Sequence, residues 1–361
     1  MTPIELTRTL CDIESVSGNE DDIATWVFRY LQQYSSVFQV ERVNNCIIAR
    51  TDFNLGHRVV LAGHLDTVPI STQTANFPSV DKGTSIWGRG AVDMKAGDAV
   101  FLALLSRVMD NTLALKYDLT AIFYDNEEVA ADLNGLGILA AQRPDLLEGD
   151  FAILGEPTNA LVEAGCNGSL RFDVVARGKA AHSARSWVGK NAIHKLQQVL
   201  AILNEWNDEL HIVDVEGLKY IEGLNATKIG GGIATNVIPD EVKVHINYRF
   251  APDKSLETAI ANVLQWFEGF EVEIIDKSPA ARPGTSLKEV QAFSSVAQKF
   301  NNKPIAPKYG WTDVARFSAL GVPALNFGPG DALLAHHDEE EVEKSNIELC
   351  YNVLEEYLFS K

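Results

Sequence analysis

Several polar side chains stand directly after short apolar stretches of the sequence. RVVLAGH ends at His64, and Asp66 follows two residues later. AIFYDNEE ends in the carboxylate pair Glu127 and Glu128, and FAILGEP carries Glu156 directly after its apolar residues. If these stretches are strands of one open α/β sheet, their polar ends meet beyond the carboxyl ends of the strands, where ligands bind. Imidazole and carboxylate groups would then share one crevice.

Two further segments can add groups to this crevice. VPALNFGPG is another apolar stretch, and it leads through a Gly/Pro loop to His336 and His337. GRGAVDMKAG places Asp93 immediately before a predicted helix, where an aspartate can also serve simply as the helix N-cap. Taken singly, each of these groups can be a core or loop residue. Taken together, His, Asp and Glu are the donors of a divalent metal such as zinc, and a carboxylate can bridge two ions about 3.5–4 Å apart.

The elements that must position these groups alternate along the chain. Short β-branched or apolar runs predict strands at Cys46–Arg50, Arg58–Ala62, Leu119–Tyr124, Phe151–Leu154 and Pro323–Phe327. Helical segments separate them, which predicts an α/β fold around a mostly parallel sheet. From Ser169 to Pro279 the pattern is strand, helix, strand, strand, helix, strand, with one long strand over Leu218–Ile229. This βαββαβ order is typical of a small α+β domain. We therefore expect a discontinuous catalytic domain (1–172 and 281–361) and an inserted domain (173–280).

The composition argues against several classes of protein. The net charge is −18, whereas proteins that bind nucleic acids or anionic membranes present a basic face. With 46% hydrophobic and 22% charged residues, the chain resembles a folded globular protein. No run approaches the roughly 20 apolar residues of a membrane-spanning helix. The cysteines are scattered and the N-terminal residues do not resemble a signal peptide, so we expect free thiols and a cytoplasmic location.

Motifs along nearly the whole chain resemble those of the M20 metallopeptidases, a family of co-catalytic zinc amidohydrolases. In chain order the motifs are GHLDTVP, GRGAVDMKAG, the Glu-Glu pair, GEPT, ARGKAAHSA with GKNAI, TNVIP, GWTDVARF and AHHDEE. Because they follow the order of the family, the likeness is more specific than a single motif. Within the family, EAGCNGSLR, NYRFAP and YGWTDVARFSALGVPALNFG are most similar to the succinyl-diaminopimelate desuccinylases of the actinobacterial type.

The resemblance implies two Zn²⁺ ions per subunit, with Co²⁺ or Mn²⁺ as substitutes that suit the same donors. It makes Asp93 the carboxylate that bridges the two ions. His64 and Glu156 would complete one metal site. Glu128 and His336 would complete the other.

The resemblance also assigns residues next to the ions. Glu127 matches the general base, which takes a proton from the attacking water and later passes it to the leaving amine. Asp66 matches the carboxylate that orients His64 and raises its basicity. Of the two adjacent histidines, His336 fits the family spacing better than His337, because an acid and then a Glu follow it three and four residues later.

Residues of the inserted domain complete the expected site. The resemblance implies that this domain is a lid and dimerisation domain of a homodimer. His182 would reach the substrate of the partner subunit and donate a hydrogen bond to the oxyanion, a contribution of about 10²–10³ in rate. Without the resemblance, His182 is a histidine in a surface loop. The resemblance makes Asn236 and Arg249 substrate-facing positions of this domain, and Arg249 suits a substrate carboxylate. In the returning part of the catalytic domain, Gly310 and Thr312 resemble the loop that contacts the acyl carboxylate.

The reaction implied by the resemblance is hydrolysis of N-succinyl-LL-2,6-diaminopimelate to succinate and LL-2,6-diaminopimelate, in lysine and meso-diaminopimelate biosynthesis. Cys166 and Asn167 stand where proteobacterial desuccinylases carry two arginines, so one substrate-binding cation is absent or is supplied elsewhere. An N-acetylornithine deacetylase and a dipeptidase or carboxypeptidase are alternatives that share the metal ligands. A non-catalytic binding protein with the same fold is the alternative from a different class.

Overall fold

The computed structural model describes residues 1–108 and 114–360. Its α-helices are α1 (Pro3–Cys11), α2 (Asp21–Gln32), α3 (Lys95–Arg107), α4 (Gly135–Gln142), α5 (Ala192–Asn207), α6 (Leu256–Trp266), α7 (Lys288–Asn301), α8 (Val314–Ala319) and α9 (Lys344–Leu358). Short 3₁₀ helices cover Pro144–Leu146, Ser183–Val188 and Ala332–Leu334. None of the helices in these two described segments combines the length and the apolar character that crossing a bilayer requires.

The strands of the same residues range from two to ten residues in length. They are β1 (Gln39–Val43), β2 (Cys46–Arg50), β3 (Arg58–His64), β4 (Val80–Asp81), β5 (Ser85–Trp87), β6 (Ala114–Leu115), β7 (Asp118–Tyr124), β8 (Phe151–Leu154), β9 (Glu163–Ala164), β10 (Gly168–Arg177), β11 (Ala181–His182), β12 (Ile212–Val215), β13 (Leu218–Ile221), β14 (Gly223–Gly231), β15 (Val237–Ile238), β16 (Glu241–Phe250), β17 (Glu271–Ser278), β18 (Ala306–Pro307), β19 (Ala324–Asn326), β20 (Glu341–Glu343) and β21 (Phe359–Ser360). The predicted strands Cys46–Arg50 and Phe151–Leu154 are confirmed as β2 and β8.

The chain divides into two compact units. The larger unit comprises Met1–Ala164, Gly284–Ala306 and Arg316–Lys361, and the smaller comprises Gly165–Pro283 and Pro307–Ala315. The larger unit is therefore discontinuous in sequence. A lid and dimerisation role for the smaller unit stays a prediction.

The larger unit contains a sheet with the strand order β1-β2-β7-β3-β8-β19-β9-β18. Strands β7, β3, β8 and β19 run parallel to one another, whereas β1, β2 and β9 pair with their neighbours in antiparallel fashion. The parallel strands are almost completely buried, as is typical of sheets covered by helices. The predicted α/β fold around a mostly parallel sheet is confirmed.

Helix α3 matters most for the site because it follows Asp93 directly. Its residues 95–105 are all buried, and its apolar side chains join those of α1, α2, α7 and α9 in one core on the sheet. The first turn of α3 lies very close to the end of β8. A Cβ added at Gly97 would stand 2.1 Å from the carbonyl oxygen of Gly155, so this approach of helix and strand requires glycine.

The smaller unit is an α+β sandwich with an antiparallel sheet of order β14-β16-β10-β17. Alternate residues of β10 and β16 pack with α5 and α6 in a second core. The remaining residues of these two strands, which include Arg171, His245 and Arg249, therefore point to the other face of the sheet. Arg249 lies opposite Ser169 on this open face.

The single strand expected over Leu218–Ile229 is wrong. Glu216 and Gly217 both have positive φ and form a tight turn that pairs β13 with β12 in a hairpin of its own. A two-residue turn with two positive φ angles matches the twist of hairpin strands. Of the two strands β13 and β14, only β14, which begins at Gly223, joins the main sheet of this unit, where it pairs with β16.

Candidate metal centre

The predicted metal residues of the larger unit emerge at one edge of its parallel sheet. β3 ends at His64, Glu127 and Glu128 follow the end of β7, and Glu156 follows the end of β8. These three strands are parallel neighbours in the order β7-β3-β8. Their following residues are therefore side by side, as the strand-end pattern of the sequence predicts.

Donor atoms of the predicted residues come together in three overlapping groups, and within each group these atoms lie within 4.8 Å of one another. The groups are His64, Asp93 and Glu156; Asp93, Glu128 and His336; and His64, Glu127 and Glu128. Asp93 belongs to the first two groups. Its Oδ1 lies 3.1 Å from His64 Nε2, and its Oδ2 lies 3.4 Å from His336 Nε2. Each oxygen of this carboxylate thus faces a different imidazole, an arrangement that is compatible with a bridging ligand.

His336 rather than its neighbour lies among these groups. Its Nε2 is 2.8 Å from Glu128 Oε1, whereas none of the groups found in the described residues contains His337. His336 also has a positive φ of 65°, which a residue with a side chain adopts at a cost in free energy. The surrounding contacts therefore hold its imidazole towards Glu128 and Asp93.

Asp93 does not act as a helix cap. The N-cap of α3 is Met94, and no side chain accepts a hydrogen bond from the first turn of this helix. The simpler interpretation of Asp93 as an N-cap is wrong, because its carboxylate turns towards the two imidazoles instead.

The neighbouring carboxylates favour the protonated, positively charged form of both imidazoles. Hydrogen bonds with Asp93 and Glu128 raise the pKa of His336 to about 10. Burial alone would lower the pKa of His64, but the carboxylates of Asp66 and Asp93 raise it well above its usual value. Burial likewise opposes the ionisation of Asp93, yet contact with both imidazoles keeps its pKa below the usual range. The same negative charge suits a divalent metal ion, which would displace the imidazole protons. The donor set fits such a metal.

Asp66 is fully buried and holds two parts of the site together. Its Oδ1 accepts the backbone N–H of Glu127 at 2.9 Å, and its Oδ2 accepts that of Glu128 at 3.1 Å. Ser17 donates its hydroxyl to the same Oδ2 at 2.7 Å. The backbone carbonyl of Asp66 lies 3.0 Å from His64 Nδ1, closer than its carboxylate at 3.5 Å. Asp66 therefore positions the glutamate loop as well as His64, whose Nε2 is left for a ligand.

The sequence interpretation missed a buried ion pair beside Asp93. Glu340 Oε1 accepts the backbone N–H groups of Val92 and Asp93 at 3.0 and 3.1 Å. Its Oε2 accepts a hydrogen bond from Arg89 at 2.8 Å. Both side chains are nearly inaccessible to solvent. The sequence gives only one indication of this pair, which is that Glu340 stands four residues after His336. That spacing does not reveal where the carboxylate of Glu340 lies.

In the smaller unit, His182 and Asn236 are exposed neighbours. The backbone carbonyl of Asn236 accepts the N–H of Ser183 at 2.9 Å. His182 Nδ1 accepts the backbone N–H of Ala184 at 3.0 Å. An imidazole that accepts at Nδ1 carries its proton on Nε2 when neutral. His182 can therefore donate a hydrogen bond from Nε2 to another molecule.

Arg249 occupies the open face of the smaller sheet, between Ser169 on β10 and Gly223 on β14. Burial and the like charge of Arg171 lower its pKa. Among the described residues Arg249 has no carboxylate partner, whereas Arg171 lies 3.6 Å from Asp276. A half-buried guanidinium in this setting is suited to a carboxylate ligand.

The positions that depart from the proteobacterial pattern are filled by neutral, buried groups. Cys166 is buried and its Sγ lies 3.8 Å from the backbone carbonyl of Thr312. Asn167 donates from Nδ2 to the carbonyl of Ile221 at 2.9 Å. Thr312 is buried, and Gly310 lies exposed two residues before it. Neither Cys166 nor Asn167 replaces a missing cation.

Sequence relatives cover nearly the whole chain. Residues 60–360 match the family model described as peptidase family M20/M25/M40. Proteins of Mycobacterium tuberculosis named putative succinyl-diaminopimelate desuccinylase DapE are 47% identical over 358 residues, which is 99% of this chain and 98% of theirs. A protein of Corynebacterium glutamicum named succinyl-diaminopimelate desuccinylase is 43% identical over 362 residues, which is 99% of this chain and 96% of that protein.

Solved structures of lower identity share the fold. A tripeptidase from Staphylococcus aureus has a TM-score of 0.80 at 18% identity and covers 99% of this chain and 96% of its own. A structure from Bacillus subtilis described as a dinuclear metal binding peptidase has a TM-score of 0.71 at 18% identity, with 98% and 96% covered. The family match and the full-length relatives confirm the resemblance read from the motifs, and the chain belongs to the M20/M25/M40 peptidase family.

Proposed function

We propose that this protein is a dinuclear zinc amide hydrolase that converts N-succinyl-LL-2,6-diaminopimelate into succinate and LL-2,6-diaminopimelate. The observation that carries the proposal is the 47% and 43% identity, over nearly full length, to proteins named as desuccinylases. The clustered His and carboxylate donors at the sheet edge support it, because amide hydrolysis by this chemistry needs a metal centre. The reaction belongs to lysine and meso-diaminopimelate biosynthesis.

We assign the metal ligands by the groups they form. His64 and Glu156 would hold one ion, Glu128 and His336 would hold the other, and Asp93 would be shared. The overlapping groups, with Asp93 in both, support this assignment. When bound, such a pair of ions lowers the pKa of a water molecule towards about 7 and polarises the amide carbonyl. Zinc suits these donors, as do Co²⁺ and Mn²⁺.

Glu127 is the proposed general base. Its backbone N–H is held by Asp66, and its carboxylate belongs to the group with His64 and Glu128. A carboxylate at this place can take a proton from the attacking water and then deliver it to the leaving amine, which must be protonated to depart. Asp66 holds both His64 and the backbone of Glu127 and is therefore a positioning residue.

The substrate offers carboxylates on its succinyl and diaminopimelate parts, and Arg249 is the proposed partner of one of them. Its planar guanidinium can form two parallel hydrogen bonds to a carboxylate, which Lys cannot. The absence of a carboxylate partner for Arg249 among the described residues supports this role. We assign Asn236, Gly310 and Thr312 as further substrate contacts on the family resemblance.

We propose a homodimer formed through the smaller unit, in which His182 donates to the oxyanion in the partner subunit's site. β14 is an edge strand, and its residues 225–231 are exposed. Ile229 on this strand is 59% exposed, and Ile193 and Leu200 are exposed apolar residues of α5, which packs beside it. An edge strand with unpaired backbone groups and apolar side chains can pair with a second copy. The exposed Nε2 of His182 is compatible with donation to another chain.

The proposed location is the cytoplasm, where amino-acid biosynthesis takes place. All four cysteines are buried and free, as expected of a protein kept in a reducing compartment. Fractionation of the native cells, with the protein followed by antibody, would check the location.

A kinetic comparison tests the proposed activity. Purified protein is assayed with N-succinyl-LL-2,6-diaminopimelate, N-acetylornithine and a dipeptide, before and after treatment with a chelator and with zinc added back. We expect the succinyl substrate to have the highest kcat/KM, with activity lost to the chelator and restored by zinc. A preference for N-acetylornithine or the dipeptide would replace the substrate assignment. Absence of both hydrolysis and metal binding would favour the non-catalytic binding protein.

A further inference from the structure

A buried ion pair joins two segments that each carry a proposed metal ligand. Arg89 and Glu340 are 251 residues apart in sequence, and their side chains are 5% and 1% exposed. Arg89 lies four residues before Asp93, and Glu340 lies four residues after His336. The pair therefore links the loop of Asp93 to the loop of His336.

Glu340 accepts hydrogen bonds from several residues of the Asp93 loop. The N–H groups of Val92 and Asp93 share Oε1, and the Arg89 guanidinium donates to Oε2. The backbone carbonyl of Glu340 accepts the N–H of Gly88 at 3.0 Å. Hydrogen bonds to a carboxylate are shorter and stronger than neutral ones, so residues 88–93 are held from one end to the other.

Arg89 extends the same network to a third segment. Its Nε donates to the carbonyl of Pro69 at 3.1 Å, in the loop that follows His64 and Asp66. Its Nη1 also approaches the carbonyl of His337 at 3.3 Å. Arg89 belongs to the segment of Asp93, and its guanidinium contacts the two segments that supply His64 and His336.

A small displacement of the Asp93 carboxylate would break its contacts with the two imidazoles. Its two carboxylate oxygens face different imidazoles, at 3.1 and 3.4 Å, and its side chain receives no anchoring from the first turn of α3. The backbone N–H that Glu340 accepts is therefore a direct restraint on where the carboxylate points. Loss of such supporting hydrogen bonds typically lowers metal affinity by about 10–100-fold.

We propose that Glu340, together with Arg89, is a positioning residue that holds Asp93 between the two imidazoles and thereby sets the metal affinity of the centre. The proposal rests on the proposed function for the roles of Asp93 and His336. It gives a role to the buried Arg89–Glu340 ion pair, which supplies neither a proposed metal ligand nor the proposed general base. An ion pair that served only the stability of the fold would leave the metal affinity of the folded protein unchanged.

The test compares Glu340→Gln with Glu339→Gln. Gln at 340 keeps the size and one acceptor oxygen but loses the charge that Arg89 contacts. Glu339 is the adjacent exposed residue and loses the same charge in the control. Metal-free protein is titrated with Co²⁺, followed by visible absorption and by competition with a chelator. We expect Co²⁺ affinity to fall about 10-fold or more in Glu340→Gln, with an altered absorption band, and to stay unchanged in Glu339→Gln.

Hydrogen exchange on the metal-free proteins gives a readout that needs neither metal nor turnover. The amides of Val92 and Asp93 should exchange faster in Glu340→Gln than in the parent and the control. Parent-like Co²⁺ affinity and absorption in folded Glu340→Gln would overturn the proposal. If Glu340→Gln does not fold, Arg89→Lys replaces it, and unchanged Co²⁺ affinity there overturns the proposal equally. If the parent itself binds no Co²⁺, the proposed function fails, and unchanged exchange at Val92 and Asp93 still overturns the positioning role.

Discussion

The two units differ in how accessible most of their predicted functional residues are, although His336 is exposed in the larger unit and Thr312 is buried in the smaller one. In the larger unit His64 and Glu156 are 1% and 6% exposed, and the groups around them contact one another across loops from distant parts of the chain. In the smaller unit His182 and Asn236 are exposed, and Arg249 lies half-buried on an open sheet face. Close-packed donors need burial and many hydrogen bonds to stay together, whereas groups that must meet a substrate or a second subunit have to remain accessible.

Gathering the carboxylates of the larger unit in one partly buried region costs free energy. Asp66, Asp93, Glu127, Glu128 and Glu156 bring several carboxylates into one region, where like charges repel and burial disfavours ionisation. Backbone N–H groups offset part of this cost at Asp66, and the imidazoles offset part of it at Asp93. A bound cation would offset the rest, so the larger unit should depend on metal more than the smaller one.

The largest expected effect is the loss of the proposed general base. Glu127→Gln keeps the shape of the side chain but cannot accept a proton, so we expect kcat to fall by about 10²–10⁴-fold. Metal content, measured by elemental analysis, should stay at the parent value. Glu148→Gln, at an exposed position, is the control. Parent-like turnover in the Glu127 variant would remove its proposed role.

The next effect tests whether the exposed residues serve a partner subunit. His182→Ala should lower kcat by about 10²–10³-fold, because the oxyanion loses a donor, and His194→Ala on the exposed side of α5 should not. Subunits carrying His182→Ala are then mixed with subunits carrying Glu127→Gln. If His182 acts across a dimer, half of the sites in each mixed dimer are complete, and activity returns to about a quarter of the parent value. No recovery after verified subunit exchange would place His182 in its own subunit's site.

A smaller effect is expected at the open sheet face. Arg249→Lys keeps the positive charge but loses the planar fork, so we expect KM to rise about 10-fold with a lesser change in kcat. Arg171→Lys, on the same face but near Asp276, is the control and should leave KM unchanged. Steady-state kinetics with the succinyl substrate measures both. Equal KM values for the two variants would argue against a substrate carboxylate at Arg249.

The smallest effect concerns stability. Removal of metal with a chelator should lower Tm by about 5 °C, because a ligand that binds only the folded state stabilises it. The shift should be smaller in Glu128→Gln protein at metal concentrations that saturate the parent, since that variant lacks a proposed ligand of one of the two ions. Differential scanning calorimetry measures the shift. A parent Tm that does not respond to zinc or chelator would contradict a buried metal centre.

The strand-end residues could be predicted because the signal is local. An apolar run of five to seven residues forms a buried strand, and the polar residues just after it must emerge at its carboxyl end. His64, Glu127, Glu128 and Glu156 were found in this way, and β2 and β8 have the predicted bounds. Local patterns failed in the smaller unit, where the turn at Glu216 and Gly217 pairs β13 with β12 in a hairpin. The chain breaks again at Glu222, and only then does β14 join the main sheet.

The sequence by itself determined the donor types and their order, because side-chain chemistry and strand periodicity are properties of short segments. The spacing of the family motif also favours His336 over its neighbour. Only the tertiary structure decided that Asp93 faces two imidazoles instead of capping α3, and that Asp66 holds the Glu127 loop. It alone placed Glu340 against Asp93, because a contact between segments so far apart in the chain exists only when the whole sheet and its loops have folded.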